Sequence, residues 1–184
     1  MLLTDTLRKE YTDLDLTCQV RQDRTADVAA VAQKLQASRA RYEAVGNPLG
    51  IPWEFVAAVH QMECSARFDL HLHNGDPLTA RTTHVPAGRP LAGAPPFTWQ
   101  ESATDALTFM KLHEVKDWSV AGTLYQMEKY NGFGYRKRNI FTPYLWAGSN
   151  HYVAGKFVRD GKFDPAAVSK QIGAALLWRQ LRAA

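Results

Sequence analysis

Five of the nine prolines in this 184-residue chain, Pro77, Pro86, Pro90, Pro95 and Pro96, crowd into the stretch between Asn74 and Trp99. Proline lacks the N–H that a helix interior needs and pushes the preceding residue toward extended backbone, so no long helix can cross this stretch. Helical periodicity returns on both sides of it. The expected fold is therefore mainly α, an α+β arrangement of helices around one small β element. Leu78-Thr79-Ala80-Arg81-Thr82-Thr83-His84-Val85 leans toward β and comes after the strong turn Asn74-Gly75-Asp76-Pro77, which predicts a small hairpin or two short strands there.

Before the proline-rich stretch, Thr25 is placed to cap a helix carrying Val28, Val31, Leu35, Tyr42 and Val45, with Gly46-Asn47-Pro48 to stop it. Ile51-Pro52 opens the next helix, because a first-turn proline gives up an N–H that has no helical partner anyway. After the stretch, Thr98-Trp99-Gln100-Glu101 reads as a capping box for a helix running through Ala103, Ala106, Leu107 and Met110 to about His113. Asp117 or Ser119 caps another, with Val120, Leu124 and Met127 inward and Asn131-Gly132 at its end. Phe163-Asp164-Pro165 with Val168 has the form of staple, cap and first-turn proline for a last helix carrying Ile172, Ala175, Leu176 and Leu181. The whole chain, 1–184, reads as one domain in which residues 1–46 form a helical extension packed on the rest.

Glu63 breaks the apolar pattern of its helix. At about 100° per residue, Phe55, Val56, Val59 and Met62 share a face and Glu63 falls roughly 40° from Val59, inside it, whereas Glu54, His60 and Gln61 point elsewhere. Desolvation penalises the charged form of a carboxyl so placed, which is expected to raise its pKa toward the range of a general acid. Cleavage of a glycosidic bond requires such an acid, since the leaving oxygen departs poorly until protonated. A bland alternative is a last-turn Glu that snorkels to water or pairs with Arg67 four residues on.

A formal net charge of +4 favours an anionic partner, whether nucleic acid, membrane surface or an acidic polymer such as a bacterial wall. With 46% hydrophobic and 22% charged residues the chain is expected to fold by itself, which sets aside a mainly disordered chain. Cys18 and Cys64 are too few to define a metal knuckle or a disulfide framework and read as free thiols. No apolar run of signal-peptide or membrane-spanning length is present, so synthesis in the cytoplasm is expected, with any action at the periplasm or wall coming after release or export.

Two further segments carry binding chemistry. Tyr130-Asn131-Gly132-Phe133-Gly134-Tyr135-Arg136 joins glycines, which let a ligand approach the backbone, to amide and phenol groups that suit sugar hydroxyls and N-acetyl groups. Tyr144, Trp146, Asn150, His151 and Tyr152 repeat the theme and read as a groove wall, or as a hydrophobic plug under a loop.

The order Glu63-Cys64-Ser65 with Phe68, then Tyr130-Asn131-Gly132, resembles the lysozyme-like superfamily, especially goose-type lysozymes and soluble lytic transglycosylases. The runs from His71 to Thr82, Val85 to Pro90, Tyr130 to Arg136 and Ser149 to Tyr152 look like those of bacterial and phage-related peptidoglycan hydrolases of that group. The resemblance implies a lysozyme-like helical domain with its β insertion directly after the catalytic helix, and a monomeric muramidase, lytic transglycosylase or endolysin. It would act on the MurNAc-GlcNAc β-1,4 bond of peptidoglycan or a related aminosugar polymer, with no nucleic acid and no cofactor. It further implies Glu63 as general acid, with Tyr130 and Asn131 in the cleft. Cys64 departs from the family pattern, in which Ser comes directly after the Glu, and Ser65 is expected to supply part of that hydrogen bonding to substrate. Asp76 is either a second catalytic carboxylate or a turn residue, with Asp69 a weaker candidate.

Two readings of other classes stand beside this one. His60-x-x-Glu63 with His71, His73 or His84 could bind zinc for cleavage of peptide stems, although no His-Glu-x-x-His is present and no metal is expected. A noncatalytic wall-binding protein would keep the aromatic groove without needing Glu63.

Overall fold

The computed structural model describes residues 1–159 and 161–183. Among these residues are eight α-helices: α1 (Asp5–Thr17), α2 (Thr25–Ala37), α3 (Arg39–Leu49), α4 (Trp53–Cys64), α5 (Trp99–Phe109), α6 (Val120–Asn131), α7 (Pro143–Trp146) and α8 (Ala174–Arg182). One antiparallel hairpin, β1 (Lys156–Arg159) and β2 (Lys162–Asp164), completes them. The chain is thus mainly helical with a small β element. No helix among the described residues is long and apolar enough to cross a membrane.

The backbone divides into two compact units, Met1–Gln33 with Ser119–Ala184, and Lys34–Trp118. The 1–46 segment expected as one extension is shared between them.

In the second unit, α4 is the central element, with every residue from Phe55 to His60 buried. His60, expected to point away from the apolar face, is instead wholly buried among Tyr42 of α3, Phe68 and Trp99 of α5, at ring-centroid distances of 5.7, 4.7 and 4.6 Å. The expected single helix over 25–45 is interrupted at Ser38, and its stop lies later than Gly46. Gly46 lies inside α3, where the Ile51 carbonyl packs at the place a Cβ would occupy, and left-handed Gly50 ends the helix. The Thr98–Glu101 capping box forms as expected, with Thr98 Oγ1 accepting from the Glu101 N–H and Glu101 accepting from the Thr98 N–H.

No strand forms over 78–85, where the hairpin was expected. The Asp76 carboxylate takes the N–H groups of Thr83 and His84, at 2.7 and 3.0 Å, that a partner strand would have paired. Only an isolated bridge, Leu70 to Pro77, remains.

In the first unit, α1 lies along α6, and Ser119 and Gly132 bound α6 as expected. Phe163-Asp164-Pro165 does not start a helix. Asp164 Oδ1 accepts from the N–H groups of Ala166 and Ala167, but the Ala167 carbonyl goes to the Gly155 N–H and the Ser169 N–H to the Tyr152 hydroxyl, so the turn does not propagate. Helix α8 starts only after Gly173, where a side chain would overlap the Leu145 carbonyl. Phe163 instead belongs to the hairpin, packed with Phe157 and Tyr135. The Tyr135 hydroxyl accepts from the Phe157 N–H at 3.1 Å and ties the hairpin to the glycine-rich segment after α6.

Candidate functional site

Glu63 occupies the last full turn of α4. Val56 and Val59, on the same face one and two turns earlier, are completely buried, while Glu63 itself is half-exposed. The stripe that is closed over most of the helix opens at its carboxyl. Beyond the helix the backbone bends tightly: Ser65 and Ala66 both take left-handed backbone, with φ of 53° each, a conformation costly for residues with a Cβ. Gly75, in left-handed backbone with φ of 80°, lies in ordinary van der Waals contact with the Glu63 carbonyl, which places the 71–78 loop beside the end of the helix.

The neighbours of Glu63 are fixed from beneath. His60 Nε2 bonds the Arg67 carbonyl and Nδ1 the Tyr42 hydroxyl, both at 3.1 Å. A carbonyl only accepts, so Nε2 carries the proton and Nδ1 accepts from tyrosine. Burial keeps that imidazole neutral, its pKa lowered to about 4. Cys64, the departure from the Glu-Ser pattern, is buried and donates its thiol to the His71 carbonyl at 3.2 Å. Burial first, and then the adjacent Glu63 charge, push that thiol up to about 12, so it is no nucleophile. Ser65 is exposed, and its carbonyl accepts from Lys34.

Asp76 is 8% exposed. Burial alone would raise its pKa, but hydrogen bonds from the backbone and ring of His84 and the backbone of Thr83 outweigh it and hold the carboxyl well below the usual carboxylate range. Its Oδ2 accepts from the N–H groups of Thr83 and His84, the Thr83 hydroxyl and Asn74 Nδ2, and Oδ1 meets His84 Nδ1 at 2.6 Å. Such an anion organises a loop and has little lone-pair capacity left for a substrate. Asp69 is exposed and pairs with Arg67 at 2.6 Å.

The histidines proposed for zinc are similarly engaged. His71 bonds Ser102 and the Ala80 carbonyl, each at 2.8 Å, and His73 bonds Asp105, which also takes a two-pronged contact from Arg89. Among the described residues, no group of three or more His, Cys, Asp and Glu side chains is placed to hold a metal ion.

In the first unit, a cavity of about 530 Å³ is lined by Asn131, Tyr135, Tyr144 and the hairpin residues Lys156, Phe157 and Arg159, among others. Exposed Asn131 ends α6 and contacts the Thr142 hydroxyl at 3.4 Å, while Tyr130 is half-buried beside it. Tyr144 is itself buried, 7% exposed, and the rest of the expected groove wall has other work. Trp146 is 1% exposed. Asn150 clamps the end of α1 through the Gln19 N–H and the Thr17 carbonyl, His151 Nε2 donates to the Leu14 carbonyl, and Tyr152 donates to the Gly155 carbonyl while accepting from Ser169.

Sequence reasoning passed over a second set of residues. Glu128 of α6, only 2% exposed, accepts from the Tyr11 hydroxyl at 2.6 Å and from Arg136 at 2.8 Å, and Arg136 also reaches Glu10. Arg136 therefore pins the far end of the Tyr130–Arg136 segment to α1 and α6. The signal for it was a Glu on the inward side of α6, one residue after Met127. No family model, curated protein or solved structure matches this chain.

Proposed function

We propose that this protein cleaves the glycan strands of peptidoglycan or a related aminosugar polymer, as a muramidase or lytic transglycosylase of the lysozyme-like type, with Glu63 as general acid. The observation that carries the reading is a half-exposed glutamate at the end of a face that is otherwise buried, on a helix anchored by the His60 aromatic cage. A carboxyl so bounded can deliver a proton to a glycosidic oxygen and recover it from water or from a sugar hydroxyl. Asp76, saturated by its loop, is assigned to structure. Relief of the oxocarbenium-like centre then falls to the substrate's own groups or to a water activated by Glu63.

The test is Glu63→Gln, which keeps size and hydrogen bonding but donates no carboxylic proton. Release of soluble fragments from insoluble walls, quantified by mass spectrometry, is expected to fall by roughly 10²-fold or more, with the melting temperature nearly unchanged. A folded variant that still releases most fragments would overturn the assignment, and the masses from the parent protein distinguish a reducing end from an anhydro ring.

A further inference from the structure

In sequence the β1–β2 hairpin carries three cations, Lys156, Arg159 and Lys162, against two acids, Asp164 and Asp160, the latter outside the described residues. Lys156 and Arg159 stand three residues apart, a spacing that puts side chains on opposite faces of a regular strand. The pairing skips Val158: Lys156 lies opposite Asp164, Phe157 opposite Phe163 and Arg159 opposite Lys162. That bulge inserts one residue and so returns Arg159 to the face of Lys156; both line the 530 Å³ cavity, as do Phe157 and Val158. It also sets Arg159 against Lys162, a like-charge cross-strand pair that is destabilising by itself. Asp164, across from Lys156, spends Oδ1 on the backbone of Ala166 and Ala167. Arg138 adds another cation beside the hairpin, its guanidinium 4.3 Å from the Phe163 ring centroid. Among the described residues, no acid lines the cavity and no carboxylate pairs with Lys156 or Arg159.

We propose that the hairpin is an oxyanion-recognising wall on which Lys156 and Arg159 receive a carboxylate branch of the aminosugar polymer, while Asn131 and Tyr144 take its sugar. This rests on the proposed function above. A guanidinium fork matches a carboxylate with two parallel hydrogen bonds, and an ammonium at the cavity wall adds a point charge. The amide and phenol groups opposite suit a neutral pyranose. The cavity thereby distinguishes a polymer carrying peptide carboxylates from an uncharged one.

Phosphate presents similar geometry, so the test carries separate probes. Calorimetric titration of the full chain would use a disaccharide-peptide with free carboxylates, the same compound with its carboxyls amidated, a neutral N-acetylglucosamine oligomer, and a glycerol phosphate oligomer. The carboxylated fragment is expected to bind about tenfold or more tighter than its amide, the scale of a charge-assisted hydrogen bond. The double variant Lys156→Gln/Arg159→Gln should lose that difference and bind the two neutral sugars as before. Arg159→Gln alone should melt no lower than the parent, since it relieves the contact with Lys162; a clear fall in melting temperature would make Arg159 a structural residue and overturn the proposal. Equal binding of acid and amide would overturn the wall and leave the glycan reading intact. Failure of every sugar to bind would overturn both. Tightest binding of the glycerol phosphate oligomer would overturn the carboxylate assignment in favour of phosphate.

Discussion

Two carboxyls near the end of α4 sit in very different surroundings. Glu63 is a half-exposed residue at the end of a buried stripe, whereas Asp76 is enclosed by donors from Asn74, Thr83 and His84. An amide at position 76 can keep its oxygen on the Oδ2 donors, but it turns those charge-assisted bonds into neutral ones and faces its NH2 to His84 Nδ1, which must change tautomer to accept. Asp76→Asn is therefore expected to cost about 1–3 kcal/mol, the scale of hydrogen bonds to a charged group, read as a lower denaturant midpoint. Wall-degrading activity, measured well below the melting temperature, should stay within roughly tenfold of the parent, because a positioned nucleophile or base is usually worth more than that. A collapse of activity at unchanged stability would place Asp76 among the catalytic groups and make this a two-carboxylate enzyme.

At the scale of elements, glycines separate close packing from mere backbone shape. A Cβ on Gly173 would overlap the Leu145 carbonyl, a backbone atom that cannot rotate away, whereas one on Gly50 would meet nothing within 4 Å and suffers only from its φ of 67°. Gly173→Ala should consequently destabilise by about 1–3 kcal/mol or more, as overpacking does, and Gly50→Ala by about 1–2 kcal/mol from left-handed backbone alone. Thermal melts of the two variants check the order, and a Gly50→Ala cost exceeding that of Gly173→Ala would contradict it. The same distinction explains what was legible in the sequence. Thr98 with Glu101, Ser119, and Asn131-Gly132 act within four residues of the ends they define, and each stands where local chemistry puts it. The hairpin was misplaced because its determinants are distant: Asp76 captures N–H groups seven and eight residues on, and Phe163 is drawn into the hairpin by Tyr135 and Phe157. Phe163-Asp164-Pro165 mimics a helix start so well locally that only those aromatic contacts decide against it. For the candidate site, the place of Glu63 on the buried face of α4 was readable from a single helix, but the Glu128 network joins residues 117 positions apart and has no local pattern.

Across the whole molecule, the two histidines whose pKa burial lowers fall in one unit. His60 and His73, both held neutral chiefly by burial, lie in Lys34–Trp118, as does Asp76. A buried neutral histidine binds its proton more weakly folded than unfolded, so the unfolded chain takes up more protons and stability falls as the solution is acidified. For His60 the loss begins near the ordinary value of 6.5 and is complete near 4, about 3 kcal/mol if the whole shift is expressed. His73 acts in the same direction. Asp76, with its depressed pKa, keeps its contribution through that window and loses it only in stronger acid, below the ordinary carboxylate value of 3.8. Hydrogen exchange compared at pH 7 and pH 4.5, corrected for the intrinsic rate, should therefore show α4 and α5 amides losing protection more than those of α6 and α8. His60→Gln retains a donor and an acceptor but no titrating group, so its protection in α4 should depend less on pH across the same window, even if it is lower at pH 7. Equal loss of protection in all four helices, or an unchanged pH dependence in His60→Gln, would show that acid acts through other groups.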